Sequence, residues 1–105
     1  MKYMFYRCSK LKELDLSNFN TSKTTNLRSM FNDCTSLEKL NLSNFDTSNV
    51  NDMAYLFCEC ESLNDIKGIE NLVTNKVNDM SYMFYGCSSL LNINTSKFKI
   101  NKKCK

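Results

Sequence analysis

Residues 30–48 read MFNDCTSLEKLNLSNFDTS, and this stretch decides the fold because the chain repeats it. Residues 4–22, MFYRCSKLKELDLSNFNTS, are nearly the same; residues 56–75, LFCECESLNDIKGIENLVTN, and 83–101, MFYGCSSLLNINTSKFKIN, are looser copies. Phe5, Phe31, Phe57 and Phe84 fall in one column, and Cys8, Cys34, Cys60 and Cys87 in another. Leu11, Leu37, Leu63 and Leu90 form a third, and Leu14, Leu40, Ile66 and Ile93 a fourth. The spacing is 26, 26 and then 27 residues. The extra residue falls near Gly68, where LNL becomes IKGI, and a glycine there suits a bulge that absorbs the insertion.

Each copy has two halves with different periodicity. Leu27, Met30, Phe31 and Cys34 stand at i, i+3, i+4 and i+7, which predicts one face of a short helix. The pattern returns at Met53, Leu56, Phe57, Cys60 and at Met80, Met83, Phe84, Cys87. Thr47 and Ser48 are candidate N-caps, Asp52 and Asp79 suit the positive end of the helix dipole, and Gly86 suits a helix end. In the other half, Leu14-Asp15-Leu16 and Leu40-Asn41-Leu42 alternate as short strands do, with Phe19, Phe45, Leu72 and Phe98 as a second apolar column. One strand and one helix per 26 residues predicts an α/β leucine-rich-repeat solenoid of about four turns, a parallel sheet on one side and short helices on the other. The solenoid would cover residues 1–98, with repeats starting near 4, 30, 56 and 83, followed by a basic tail at 99–105.

Residues 1–96 carry 9 basic and 11 acidic groups, while Lys97, Lys99, Lys102, Lys103 and Lys105 crowd the end. The near-neutral body argues against a nucleic-acid partner. The tail reads either as a contact for an acidic surface or as a solvated end. Residues 1–8, MKYMFYRC, lack the apolar core of a signal peptide, and no run approaches the length of a membrane span. The chain has 2 Gly and no Pro, so its turns fall to Asn, Asp, Ser and Thr.

The pattern MFxxCxSLxxLxLSNFxTSxVxxMxxMF resembles the BspA-like leucine-rich repeats of bacterial surface proteins, over about residues 4–98. The likeness is weaker at residues 66–75 and after Thr95. The resemblance implies surface display and adhesion, and it carries over no catalytic residue.

Four of the six cysteines share one column beside phenylalanine, which predicts buried free thiols acting as small apolar groups. Cys58 and Cys104 fall off that column and read as exposed thiols. Only Cys58 and Cys60 lie close together and histidine is absent, so no metal site is expected. With no His to serve as base, no paired carboxylates and no Gly-rich phosphate loop, neither an enzyme nor a cofactor is expected. Asn18, Asn44 and Asn71 predict an inward ladder bonding adjacent turns, ended by Lys97.

Recognition is expected where columns vary and face water. On the strand side these are Glu13, Asp15, Lys39, Asn41, Asp65, Lys67, Asn92 and Asn94, small and of mixed charge. On the other side Tyr3, Tyr55 and Tyr82 share one column, and Tyr6 and Tyr85 another. They read either as an exposed aromatic ladder or as tyrosines packed between helices. Tyr3, Tyr6, Tyr55, Tyr82, Tyr85, Asp15, Asn41, Lys67 and Asn94 are the candidate interaction residues.

The expected function is non-enzymatic protein or cell-surface binding, outside the membrane core and within a longer exported array. The alternative is an intracellular structural or interaction protein with the same repeats. With Met4, Phe5 and Tyr6 already on the stacking face, the chain is also expected to be a fragment or to associate end to end.

Overall fold

The computed structural model describes residues 1–90. Three short strands form where the sequence alternates: β1, Glu13–Asp15; β2, Lys39–Asn41; and β3, Asp65–Lys67. They pair in parallel in the order β1-β2-β3. The register sets Leu14 beside Leu40 and Leu40 beside Ile66, so the repeat column is also the strand pairing. Alternation sends these apolar residues inward and leaves Glu13, Lys39 and Asp65 outside. The column positions Ile93, Asn92, Asn94, Lys97 and Phe98, together with Cys104 and the basic tail, lie outside the described residues.

The opposite side corrects the expected helices. Residues 27–34, 53–60 and 80–87 are chains of tight turns, and the one helix among the described residues is a 3-10 turn, Ile69–Asn71. The N–H groups of Leu27, Ser29, Phe31 and Asp33 donate to the carbonyls of Asp52, Ala54, Leu56 and Cys58 in the next copy, at 2.8–3.0 Å. The intervening N–H groups of Met30, Asn32 and Cys34 reach three residues back, to Leu27, Ser29 and Phe31, at 3.2 Å. Met53, Tyr55, Phe57 and Glu59 bond Asp79, Ser81, Met83 and Tyr85 in the same way.

The reason is spacing. Parallel strands lie about 4.8 Å apart, whereas packed helices need about 8–10 Å between axes. A helix in every copy cannot follow the sheet at that interval without fanning outward; a flat ladder of turns can. The apolar i, i+3, i+4, i+7 positions still face inward, because overlapping i→i+3 turns return the side chains at nearly the helical interval.

The ladder requires a left-handed residue at the third place of two turns per copy, as type II turns do. Tyr3, Ser29, Tyr55 and Tyr82 hold the first place, with φ of 55–61°. Arg7, Asp33, Glu59 and Gly86 hold the second. Gly86 was expected at a helix end, and it is the one glycine in either column.

The core lies between sheet and turns. Phe31 and Phe57 are 0% exposed, and the rings of Phe5, Phe31, Phe57 and Phe84 stack at 5.7, 5.7 and 5.4 Å between centroids. Burial of each full phenylalanine contributes about 1.5–3 kcal/mol. The insertion sits where expected. Gly68 adopts φ 90°, and a Cβ there would lie 2.7 Å from the Ser43 Cα. The 3-10 turn that follows returns Ile69 and Leu72 to buried places.

Three polar expectations change. Thr47 is no helix cap: its buried hydroxyl donates to the Val73 carbonyl and accepts the Val73 N–H, both at 2.7 Å. Thr21 spans to Asp46 in the same manner. Ser48 donates its N–H to the Asp46 side chain in an exposed turn. Asp52 and Asp79 accept the N–H groups of Ala54 and Ser81 in Asx turns rather than opening helices. Asn18, Asn44 and Asn71 are exposed, so the inward ladder is absent; Leu42 and Phe45 take the inward places on either side of Asn44. Asn44 still donates to the Ser17 carbonyl, from the outside.

Candidate functional site

The left-handed turns determine what the turn face presents. Three of the four occupants of the first left-handed column are tyrosines, and the fourth is the buried Ser29. Tyr3, Tyr6, Tyr82 and Tyr85 are exposed, the last two at 57% and 59%, while Tyr55 is half-buried. The tyrosines do not form one ladder. Tyr3 meets Tyr6 edge to face at 5.5 Å, Tyr55 stacks on Tyr82 at 5.2 Å, and Tyr82 meets Tyr85 edge to face at 5.6 Å.

Arg28 ties these groups to the backbone frame. Its guanidinium reaches Asp52 at 3.3 Å and Asp79 at 3.6 Å, so one cation spans three copies of the repeat. It also lies over the Tyr55 ring, 5.3 Å from the centroid. Arg7 pairs with Asp33 at 3.6 Å and lies over Tyr6 at 5.2 Å. Tyr3, Tyr6, Arg28, Ser29, Asn32 and Tyr55 line a shallow groove of about 240 Å³. The sequence reading missed Arg28, Ser29 and Asn32. Arg28 stands two residues after Asn26, whose side chain accepts the Arg28 N–H in the same Asx turn that Asp52 and Asp79 make; that shared N/D-x-x column was the available signal.

On the strand face, Glu13, Asp15, Lys39, Asn41, Asp65 and Lys67 line a shallow depression of about 390 Å³. Glu13, Lys39 and Asp65 alternate in sign across the paired strands. Asp15 and Asn41 are committed locally, accepting the N–H groups of Ser17 and Ser43. The Ser17 hydrogen bonds and the nearby Lys67 hold the Asp15 carboxyl below its ordinary value. Asn94 lies outside the described residues.

The cysteine column forms a ladder of donors. The Cys34, Cys60 and Cys87 thiols donate to the carbonyls of Phe5, Phe31 and Phe57, at 3.1, 3.0 and 3.0 Å. Burial pushes the Cys34 and Cys87 thiols up to about 11 and Cys60 higher still. They therefore stay protonated and weakly nucleophilic near neutral pH. Cys58, expected to be exposed, is buried, flanked in its column by Asn32 and Tyr85, and its thiol is also raised by burial. All five described cysteines are free, and no group of three or more metal-binding side chains converges among the described residues.

The whole chain, residues 1–105, matches the family model described as Mycoplasma protein of unknown function, DUF285. The chain belongs to the DUF285 family. Comparison with curated proteins and with solved structures finds no match for this DUF285 chain. Among its described residues, no helix is long and apolar enough to cross a membrane.

Proposed function

We propose that this DUF285 chain is a non-enzymatic binding module. In this reading its repeats form a short leucine-rich-repeat solenoid of about four turns, of the BspA-like surface type. The tyrosine-bearing turn face engages a protein or another cell-surface ligand. The observation that carries the reading is the exposure of four tyrosines on the turn face, beside two arginines. Tyrosine and arginine supply most binding hot spots, and exposed aromatic groups at this density mark contact surfaces. The strand face, with its charges alternating and its Asp15 and Asn41 already bonded, offers less. Display at the cell surface, within a longer array whose ends also associate, fits a module that gains avidity by repetition.

A second reading is an intracellular interaction protein with the same repeats. The free thiol of Cys8, only half-buried, favours it, since oxidising surroundings tend to pair or lose such groups.

The test is a screen of the chain against immobilised extracellular-matrix and cell-surface molecules, with Tyr55→Ser and Tyr82→Ser in parallel. A ligand that binds the wild type and is weakened about tenfold or more by each variant is expected. Silence across the screen, or binding indifferent to both substitutions, would remove the adhesion reading.

A further inference from the structure

Tyr3 and Tyr55 occupy the same place in the repeat, two copies apart. The copy between them has Ser29 there, buried at 3% exposure. The small residue between two large ones creates the groove, which therefore runs along the stacking direction. Its walls are phenol rings. Its polar groups are the Arg28 guanidinium, the tyrosine hydroxyls, and the Asn32 amide, which donates to the Ser29 hydroxyl at 3.5 Å, while no carboxylate lines it. Asp52 and Asp79 are engaged with Arg28 from outside the lining.

This is a surface of aromatic faces around one cation, with no anion in its lining. Its best complement is apolar, rich in acceptors and poor in donors. A polyproline II segment fits: its prolines have no N–H, its carbonyls have no internal partner, and its rings pack on aromatic walls. The dimensions agree as well. Ladder bonds of 3.0 Å, from Tyr3 N–H to Arg28 O and from Ser29 N–H to Ala54 O, hold the backbone beneath the tyrosines at sheet spacing. Two such steps cover about 9.6 Å, and one three-residue turn of polyproline II rises about 9.3 Å.

We propose that this groove binds a proline-rich segment in the polyproline II conformation, running along the stack. Prolines three residues apart meet the Tyr3–Tyr6 pair and Tyr55, and a carbonyl between them meets Arg28 or Asn32. The inference rests on the reading of the chain as a protein-binding module and names the class of its partner.

Decaproline and a ten-residue Gly-Ser peptide, titrated into the full chain, provide the test. Three of the 5 Tyr line the groove and the chain has no Trp, so phenol fluorescence reports binding, and amide NMR shifts locate the contact. Decaproline is expected to saturate and to shift the amides of Ser29, Asn32 and Tyr55, with no saturable response to Gly-Ser. Tyr55→Ser should weaken decaproline about tenfold or more. Ser29→Tyr, which fills the gap with the residue that column carries in three other copies, should do the same in a chain that keeps its fold by circular dichroism. Lys23→Ser, exposed, outside the groove and off the tyrosine face, should bind as the wild type does. Absence of saturation, an equal response to Gly-Ser, or full affinity in Ser29→Tyr would overturn the proposal. A screened surface ligand that depends on Tyr55 while decaproline neither binds nor competes would overturn it too, yet leave the binding module standing; loss of both would remove both.

Discussion

The strand face and the turn face solve one problem at the same 26-residue interval, by different means. Both pass hydrogen bonds from each copy to the next. The strand face does so with extended backbone that any residue adopts, and its strands are three residues long. The turn face does so with a left-handed residue at every fourth position between Tyr3 and Arg7, Ser29 and Asp33, and Tyr55 and Glu59. A non-glycine residue there costs on the order of 1 kcal/mol. The turn face holds its shape because it is anchored to its neighbours, by the phenylalanine stack, the threonine pins and the thiols.

Removing the stack should have the largest effect. Phe57→Ala is expected to cost about 3–5 kcal/mol in urea unfolding. Phe84→Ala, at a half-buried ring, should cost less than half as much. Equal losses would mean that the two rings carry the same load despite their different burial. Thr47→Val keeps the side-chain shape but strips two partners from Val73, and should cost about 1–3 kcal/mol.

Alkaline pH should separate the faces next, since the column thiols lie on the turn side. Cys34 and Cys87 are raised from 9.0 to about 11, so the folded chain holds these protons more tightly than the unfolded chain. Their contribution is complete below pH 9.0 and is lost as pH rises through about 11. Amide exchange followed across that window should accelerate at Phe31, Cys34 and Phe57 before Leu40; simultaneous acceleration would count against thiol anchoring. The smallest effect is a gain. Asp33→Gly relieves one left-handed residue and should stabilise the chain by about 0.5–1 kcal/mol, whereas Lys39→Gly on β2 should destabilise it.

The sequence made the strand side legible because alternation has one structural meaning: Leu14, Leu40 and Ile66 face inward in register, and Gly68 marks the insertion. It left the turn side ambiguous because apolar residues at i, i+3, i+4 and i+7 satisfy a helix and a run of i→i+3 turns equally well. Only the spacing of the neighbouring copy decides between them, and that is a property of the stack rather than of one segment. The errors at Cys58 and Thr47 follow from the same choice, since a helical wheel places Cys58 outside and makes Thr47 a cap. The tyrosines were found, but the groove was not, because its floor is the absence of a ring at Ser29. Asn44 was placed in the right relation to its neighbour and on the wrong side of the backbone.

The ladder bonds, the Thr47 bridge and the Cys60 thiol bond all cross from one copy to the next, so they lie roughly along a common axis. Tension on a tethered ligand directed along that axis would load them together at each junction. A junction that yields would lengthen the chain by one repeat and leave its neighbours bonded. Because Phe84 is less buried than Phe57, the junction that holds it would be the first to give.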